Sequence, residues 1–134
     1  MTVGYSAANL ANAWLNTLRG AGNGVTFTAP ATLFVQLHTG DPGASGTANV
    51  SSTTARQALG FAAASAGSMA ISGTPSWTSW AGTNGEVVTH ISVWSASTSG
   101  TFYFSVALTA SKTVNTGDTL NLNSLTLSQS PIAA

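Results

Sequence analysis

Apolar and polar residues alternate in short runs along most of this chain, and Gly, Pro, Asn and Ser separate the runs. Two-residue alternation marks a strand with one buried and one open face. The clearest run is Glu86–Trp94, with Val87, Thr89, Ile91 and Val93 on one face and Val88, His90, Ser92 and Trp94 on the other. Thr101–Leu108 follows the same rule, with Phe102, Phe104, Val106 and Leu108 on the buried side, and Ser95–Gly100 between them reads as a hairpin loop. Leu33–Thr39 sets Leu33, Val35 and Leu37 opposite Phe34, Gln36 and His38. Val25–Thr28, Gln57–Ala64 and Ser68–Ser72 are shorter strands, the last with Met69 and Ile71 inward, and turns are expected at Ala21–Gly24, Gly73–Pro75, Gly82–Gly85 and Asn115–Asp118. Leu120 and Leu122 begin a final strand whose apolar parity switches to Leu125 and Leu127. That switch predicts a bulge or bend near Asn123–Ser124, and Pro131–Ala134 follows as a tail.

Only Ser6–Arg19 carries helical spacing. Leu10, Trp14 and Leu18 recur every four residues, Ala7 and Ala11 widen the stripe, Ser6 suits the N-cap, and Gly20 closes the helix behind Arg19. The helix either packs on its own sheet or serves as a docking arm for a neighbour, with Trp14 and Leu18 as anchors in the second case. The pattern predicts a mainly β protein: an antiparallel β-sandwich or jelly-roll-like barrel with one N-terminal α-helix. The 134 residues make a single domain, with the helix or arm in 1–20 and the sandwich in 25–128.

Charge changes this picture. Only three basic and three acidic residues occur, 4% of the chain, against about 25% in an ordinary soluble domain. A near-neutral surface of hydroxyls, amides and small side chains offers little repulsion between molecules, so assembly into a symmetric homo-oligomer is expected. Arg19, Arg56 and Lys112 are too few and too scattered for a nucleic-acid footprint or an electrostatic membrane anchor. There is no Cys, no run of transmembrane length and no basic-then-apolar signal segment at the N-terminus.

Candidate chemistry gathers at the end of Leu33–Thr39. His38 is followed by Gly40-Asp41-Pro42-Gly43, where Pro42 fixes φ, Asp41 can cap nearby N–H groups and the glycines can take positive φ; a loop over Gly43–Thr54, expected to be exposed, then leads to Arg56. His38, Asp41, Pro42, Gly43 and Arg56 are read as a structural turn. A metal site would need His38, His90 and a carboxylate, without any HxH or HExxH spacing to support it. Asp41, Glu86 and Asp118 each sit beside a turn, where carboxylates commonly bond local backbone, and no G-x-S-x-G elbow or phosphate loop is present. The reading is a non-enzymatic protein without cofactor or metal. Trp77 and Trp80 stand open to three uses: core, interface anchor, or, with Asn84, a platform for host-surface sugar.

These residues carry a resemblance. Leu33-Phe-Val-Gln-Leu-His-Thr-Gly-Asp-Pro-Gly43, Gly46-Thr-Ala-Asn49, Ala55-Arg56-Gln-Ala58, Thr89-His-Ile-Ser-Val-Trp94, Gly100-Thr-Phe-Tyr-Phe104 and Val114-Asn-Thr-Gly-Asp-Thr-Leu120 resemble a family of small structural proteins of tailed bacteriophages. Residues 31 to 128 are covered, with Ala55 standing where the family usually has an aromatic. The resemblance implies a virion component, assembled in the bacterial cytoplasm, whose partners are its own copies and the major capsid or tail proteins. The small size and the lack of a fibrous repeat point to a capsid decoration or minor capsid subunit, with a tail-fibre or minor tail protein as the alternative.

Overall fold

The computed structural model describes residues 3–19 and 27–130. The strands are β1 (Gly4–Tyr5), β2 (Leu33–His38), β3 (Gln57–Phe61), β4 (Ser68–Ser72), β5 (Ser76–Trp77), β6 (Glu86–Trp94), β7 (Phe102–Val114), β8 (Leu120–Asn121) and β9 (Thr126–Ser128). Seven of them form one antiparallel sheet in the order β1-β7-β6-β2-β3-β4-β9, curled into a half-barrel, while β5 and β8 make a separate two-stranded ribbon. The expected mainly β, antiparallel architecture with one short N-terminal helix is what forms. Gly20, the Ala21–Gly24 turn, the start of the Val25–Thr28 strand and the 131–134 tail lie outside the described residues, and Phe27–Thr28 are not in a strand.

The sheet centres on β2, β6 and β7. Val35 pairs with Val93 and Leu37 with Ile91, so these four stand on one face, each at most 2% exposed. Leu10, Leu59, Trp77, Trp80, Phe104, Val114 and Leu125 join them in the core. On the opposite face Phe34 pairs with Trp94, Gln36 with Ser92 and His38 with His90.

Strict alternation fails on β6, and the sheet registers say why. The β6–β7 ladder slips between Val88 and His90, where one residue of β6 faces the stretch of β7 between Ala107 and Lys112. Such a bulge moves later side chains to the other face. Val88 is therefore fully buried and Val87 is 42% exposed, although Val87 shares odd parity with Ile91 and Val93. A second slip between Val93 and Trp94 lets neighbouring Tyr103 and Phe104 both be buried. Beyond Leu108, where the pattern loses its alternation, β7 continues to Val114. The anticipated bend near Asn123–Ser124 is a change of partner: β8 pairs with β5, and β9 pairs with β4.

The helix also departs from expectation. Ser6 caps it, accepting the Asn9 N–H at 3.3 Å, but residues Ala7–Ala11 form a π-helical turn before α1 (Asn12–Arg19). The Ser6 carbonyl accepts from both Leu10 and Ala11, and the Ala7 carbonyl from Asn12. The wider turn holds an extra residue and breaks the four-residue stripe. Leu10 and Ala13 face the body, Trp14 is half-buried, and Leu18 stands 86% exposed.

The bulge makes a clear forecast. Val88→Ala should lower unfolding stability by about 2 kcal/mol, as for loss of core methyl groups. Val87→Ala should stay within about 0.5 kcal/mol, as for exposed sites. Urea titration of both variants distinguishes this geometry from uninterrupted alternation, which would make Val87 the sensitive position.

Candidate functional site

The outer face of the sheet carries the residues singled out in the His38–Arg56 stretch, and the loop after β2 folds back over them. His38 is fully buried. Its Nδ1 lies 2.7 Å from the Ala48 carbonyl oxygen, and its Nε2 lies 2.7 Å from Ser92 Oγ. A carbonyl only accepts, so Nδ1 carries the proton. In the neutral ring Nε2 is then an acceptor, and the Ser92 hydroxyl donates to it. Trp94 Nε1–H donates to the same Ser92 oxygen at 2.7 Å. The chain of donors runs Trp94, Ser92, His38, with His38 donating in turn to Ala48, and each polar atom in it is satisfied.

Local backbone chemistry shapes the loop that His38 holds. Asp41 Oδ1 accepts the Gly43 N–H at 2.8 Å, as expected for an aspartate capping a turn. Pro42 is buried and its carbonyl accepts from Ala48; the Thr39 N–H donates to the Asn49 carbonyl and the Ser51 N–H to that of Leu37. Asn49, at φ 51°, donates its side-chain amide to the Asp41 carbonyl. Gly46, at φ +74°, lies flat on Phe102, and a Cβ there would come within 2.4 Å of that ring. The expectation of an exposed Gly43–Thr54 loop is thus corrected in part: its tip is open, but Gly46 and Ser51 are buried because the loop forms a second layer on the sheet.

Arg56 closes the other end of this layer. Its guanidinium carbon sits 4.0 Å from the centre of the Trp94 ring, Nε donates to Gln36 Oε1, and Nη1 donates to the carbonyls of Ala96 and Ser99. The cation lies on the face of the indole, where the ring's negative potential favours it. One arginine thereby ties β2, the end of β6 and the hairpin loop after it.

The remaining acids do similar work elsewhere. Glu86 accepts the Ser52 N–H on both carboxylate oxygens at 3.1 Å and the Ser52 hydroxyl on one. Partial burial raises its pKa, but these hydrogen bonds and one from Ser51 outweigh it and leave the group below its ordinary 4.5. Asp118 Oδ2 accepts from the Asn115 N–H at 2.9 Å within the predicted turn.

The candidate metal set does not assemble. His38 and His90 are opposite one another across β2 and β6, but both ring nitrogens of His38 already have partners, and His90 Nδ1 bonds Thr89 Oγ1 at 2.7 Å. Among the described residues no cluster of three or more His, Cys, Asp or Glu could hold an ion. Trp77 and Trp80 are 3% and 1% exposed, and their indole N–H groups donate to the carbonyls of Ala55 and Thr83. That burial corrects their candidacy as interface anchors or a sugar platform: neither ring has a free face. Trp14 and Leu18, by contrast, stand at the surface of the helix.

Sequence reading missed Ser92, Trp94, Gln36 and Phe102 as parts of the outer layer. Their signal was the shared parity of Gln36 and His38 and of Ser92 and Trp94, but the β2–β6 register that joins the two sets is a tertiary fact.

Two outcomes test this layer. Burial, with the neighbouring His90 ring and Arg56 guanidinium adding to it, outweighs the hydrogen bonds to the backbone of Ala48 and Asn49 and holds the His38 pKa below 6.5. The unfolded chain therefore takes up this proton first, so stability contributed by neutral His38 is complete above pH 6.5 and falls as pH drops below it. Glu86 loses its contribution only lower, as pH falls from 4.5. The thermal midpoint should decline between pH 6.5 and 5, and His38→Gln, though less stable at pH 7, should lose that slope. Separately, Gly46→Ala should cost about 1 to 3 kcal/mol in denaturant titration through overpacking on Phe102 and a positive φ.

The family model described as podophage GP4 fiber I protein gp80 matches residues 6–130 of this chain. No curated protein matches it.

Proposed function

Because the chain belongs to that podophage fibre family, a phage structural family, we propose that it is a non-enzymatic subunit of the fibre assembly on the tail of a tailed-phage virion. The observation that carries the reading, beside the family itself, is how the chemistry-bearing side chains are used. His38, Asp41, Arg56, Glu86 and Asp118 each hydrogen-bond a local turn, loop or strand. Groups used in this way rigidify a scaffold, which supports the reading as a structural subunit. The partners are copies of the chain and other virion proteins, without nucleic acid, membrane or cofactor.

The near-uncharged surface and the lack of a fibrous repeat support a second placement, as a decoration or minor capsid subunit on the head. Host-surface sugar is not part of either reading, since the tryptophans that would stack on it are buried.

Gold-labelled antibody against the chain, imaged on intact particles by electron microscopy, tests the proposal. Label at the tail is the expected result. Label spread over the head would assign the decoration role instead, and unlabelled particles would overturn the virion reading.

A further inference from the structure

Among the described residues only Tyr5, Leu15, Leu18 and Val87 are exposed large hydrophobics, and three of the four lie on the N-terminal segment. Leu15 and Leu18 are 65% and 86% exposed and one helical turn apart on α1. Tyr5 meets the edge of Trp14, with ring centres 5.5 Å apart, so the patch is continuous with that half-buried indole. Beside the helix, Trp14, Phe27, Leu33, Phe61, Met69 and Leu127 line an open apolar groove of about 170 Å³.

We propose that this surface binds a second copy of the same chain, the exposed Leu18 of each protomer seating in the apolar groove beside α1 of the other. Deleting one leucine from a packed core leaves a void of about 150 Å³, so the groove is leucine-sized. Protrusion and recess share Trp14 as a common wall, and an identical copy offers both, which is the reciprocity a self-complementary contact requires. Charge selects the same occupant. Neither the π-turn nor α1 has an acidic residue in its first turn, Arg19 at the helix end is the only formal charge on either, and the chain as a whole is neutral. Two such faces meet without a row of like charges, whereas a strongly acidic or basic partner finds nothing to complement it.

The inference deepens the reading as a virion subunit, where copies are held at high local concentration. A patch of one short helix and one groove is smaller than the roughly 800 Å² per partner of a standard interface, so reversible association is expected. Sedimentation velocity on the purified full chain, from about 2 to 200 µM, reads it directly, the range spanning the micromolar affinities of small interfaces. The wild type should shift to larger species with concentration, and Leu18→Glu should weaken that shift at least about tenfold while near-ultraviolet circular dichroism stays native. Leu15→Glu is the second variant, should the first fail to fold. A wild type monomeric throughout, or variants that associate as the wild type does, would overturn the proposal. A monomeric chain that still labels particles would overturn self-association alone and leave the virion reading standing.

Discussion

A histidine shut away from water beneath a loop has few permitted states, and the outer half of this molecule is arranged around that limit. His38 must give one proton to a carbonyl and receive one from a hydroxyl, and it does so at 2.7 Å on each side. The Ser92 hydroxyl donates to it while its oxygen accepts the Trp94 indole N–H. Three strand positions and a loop carbonyl are thereby fixed relative to one another, and no member of the set can reorient alone. Arg56 adds the final constraint by lying on the Trp94 indole. The half-barrel is covered on its inner face by hydrocarbon and on its outer face by a hydrogen-bonded loop.

Local patterns translate well into this fold where the decisive forces are local. β4 and β6 have the limits that alternation gives them, Asn115–Asp118 is a turn, and Ser6 caps the helix. Each depends on neighbours within a few residues. The departures share a different cause, namely that the chain is offset by a residue or more where distant segments must fit. Val87 is outside and Val88 inside because β7 carries extra length opposite them. Leu125 and Leu127 differ in parity from Leu120 and Leu122 because the chain crosses from one sheet to another between them.

The candidate site was half visible for the same reason. His38, Asp41, Pro42 and Gly43 announce a turn by residue type, and Asp41 does cap it. That the loop turns back over the sheet depends on Gly46 lying against Phe102, fifty-six positions later, and nothing near Gly46 hints at it. Tryptophan content misleads in the opposite direction. Trp77 and Trp80 resemble a binding platform in sequence, yet their N–H groups find carbonyl partners inside the fold, and a satisfied indole is a favourable core residue. Trp77 and Trp80 thus serve stability here, and the most exposed large apolar side chains among the described residues are two leucines of a short helix.

The π-helical turn over Ala7–Ala11 gives that helix an unusual relation to its own gene. An α-helix advances about 100° per residue, and a π-turn takes up one extra residue within a single turn, so the segments on either side of it keep their facing. Removing one codon in this stretch would let the turn tighten to an ordinary α-turn and leave the outward stripe of α1 where it is. A codon added or lost within α1, which has no such turn, would instead rotate everything after it, so tolerance to a change of length is confined to the first turn of this helix.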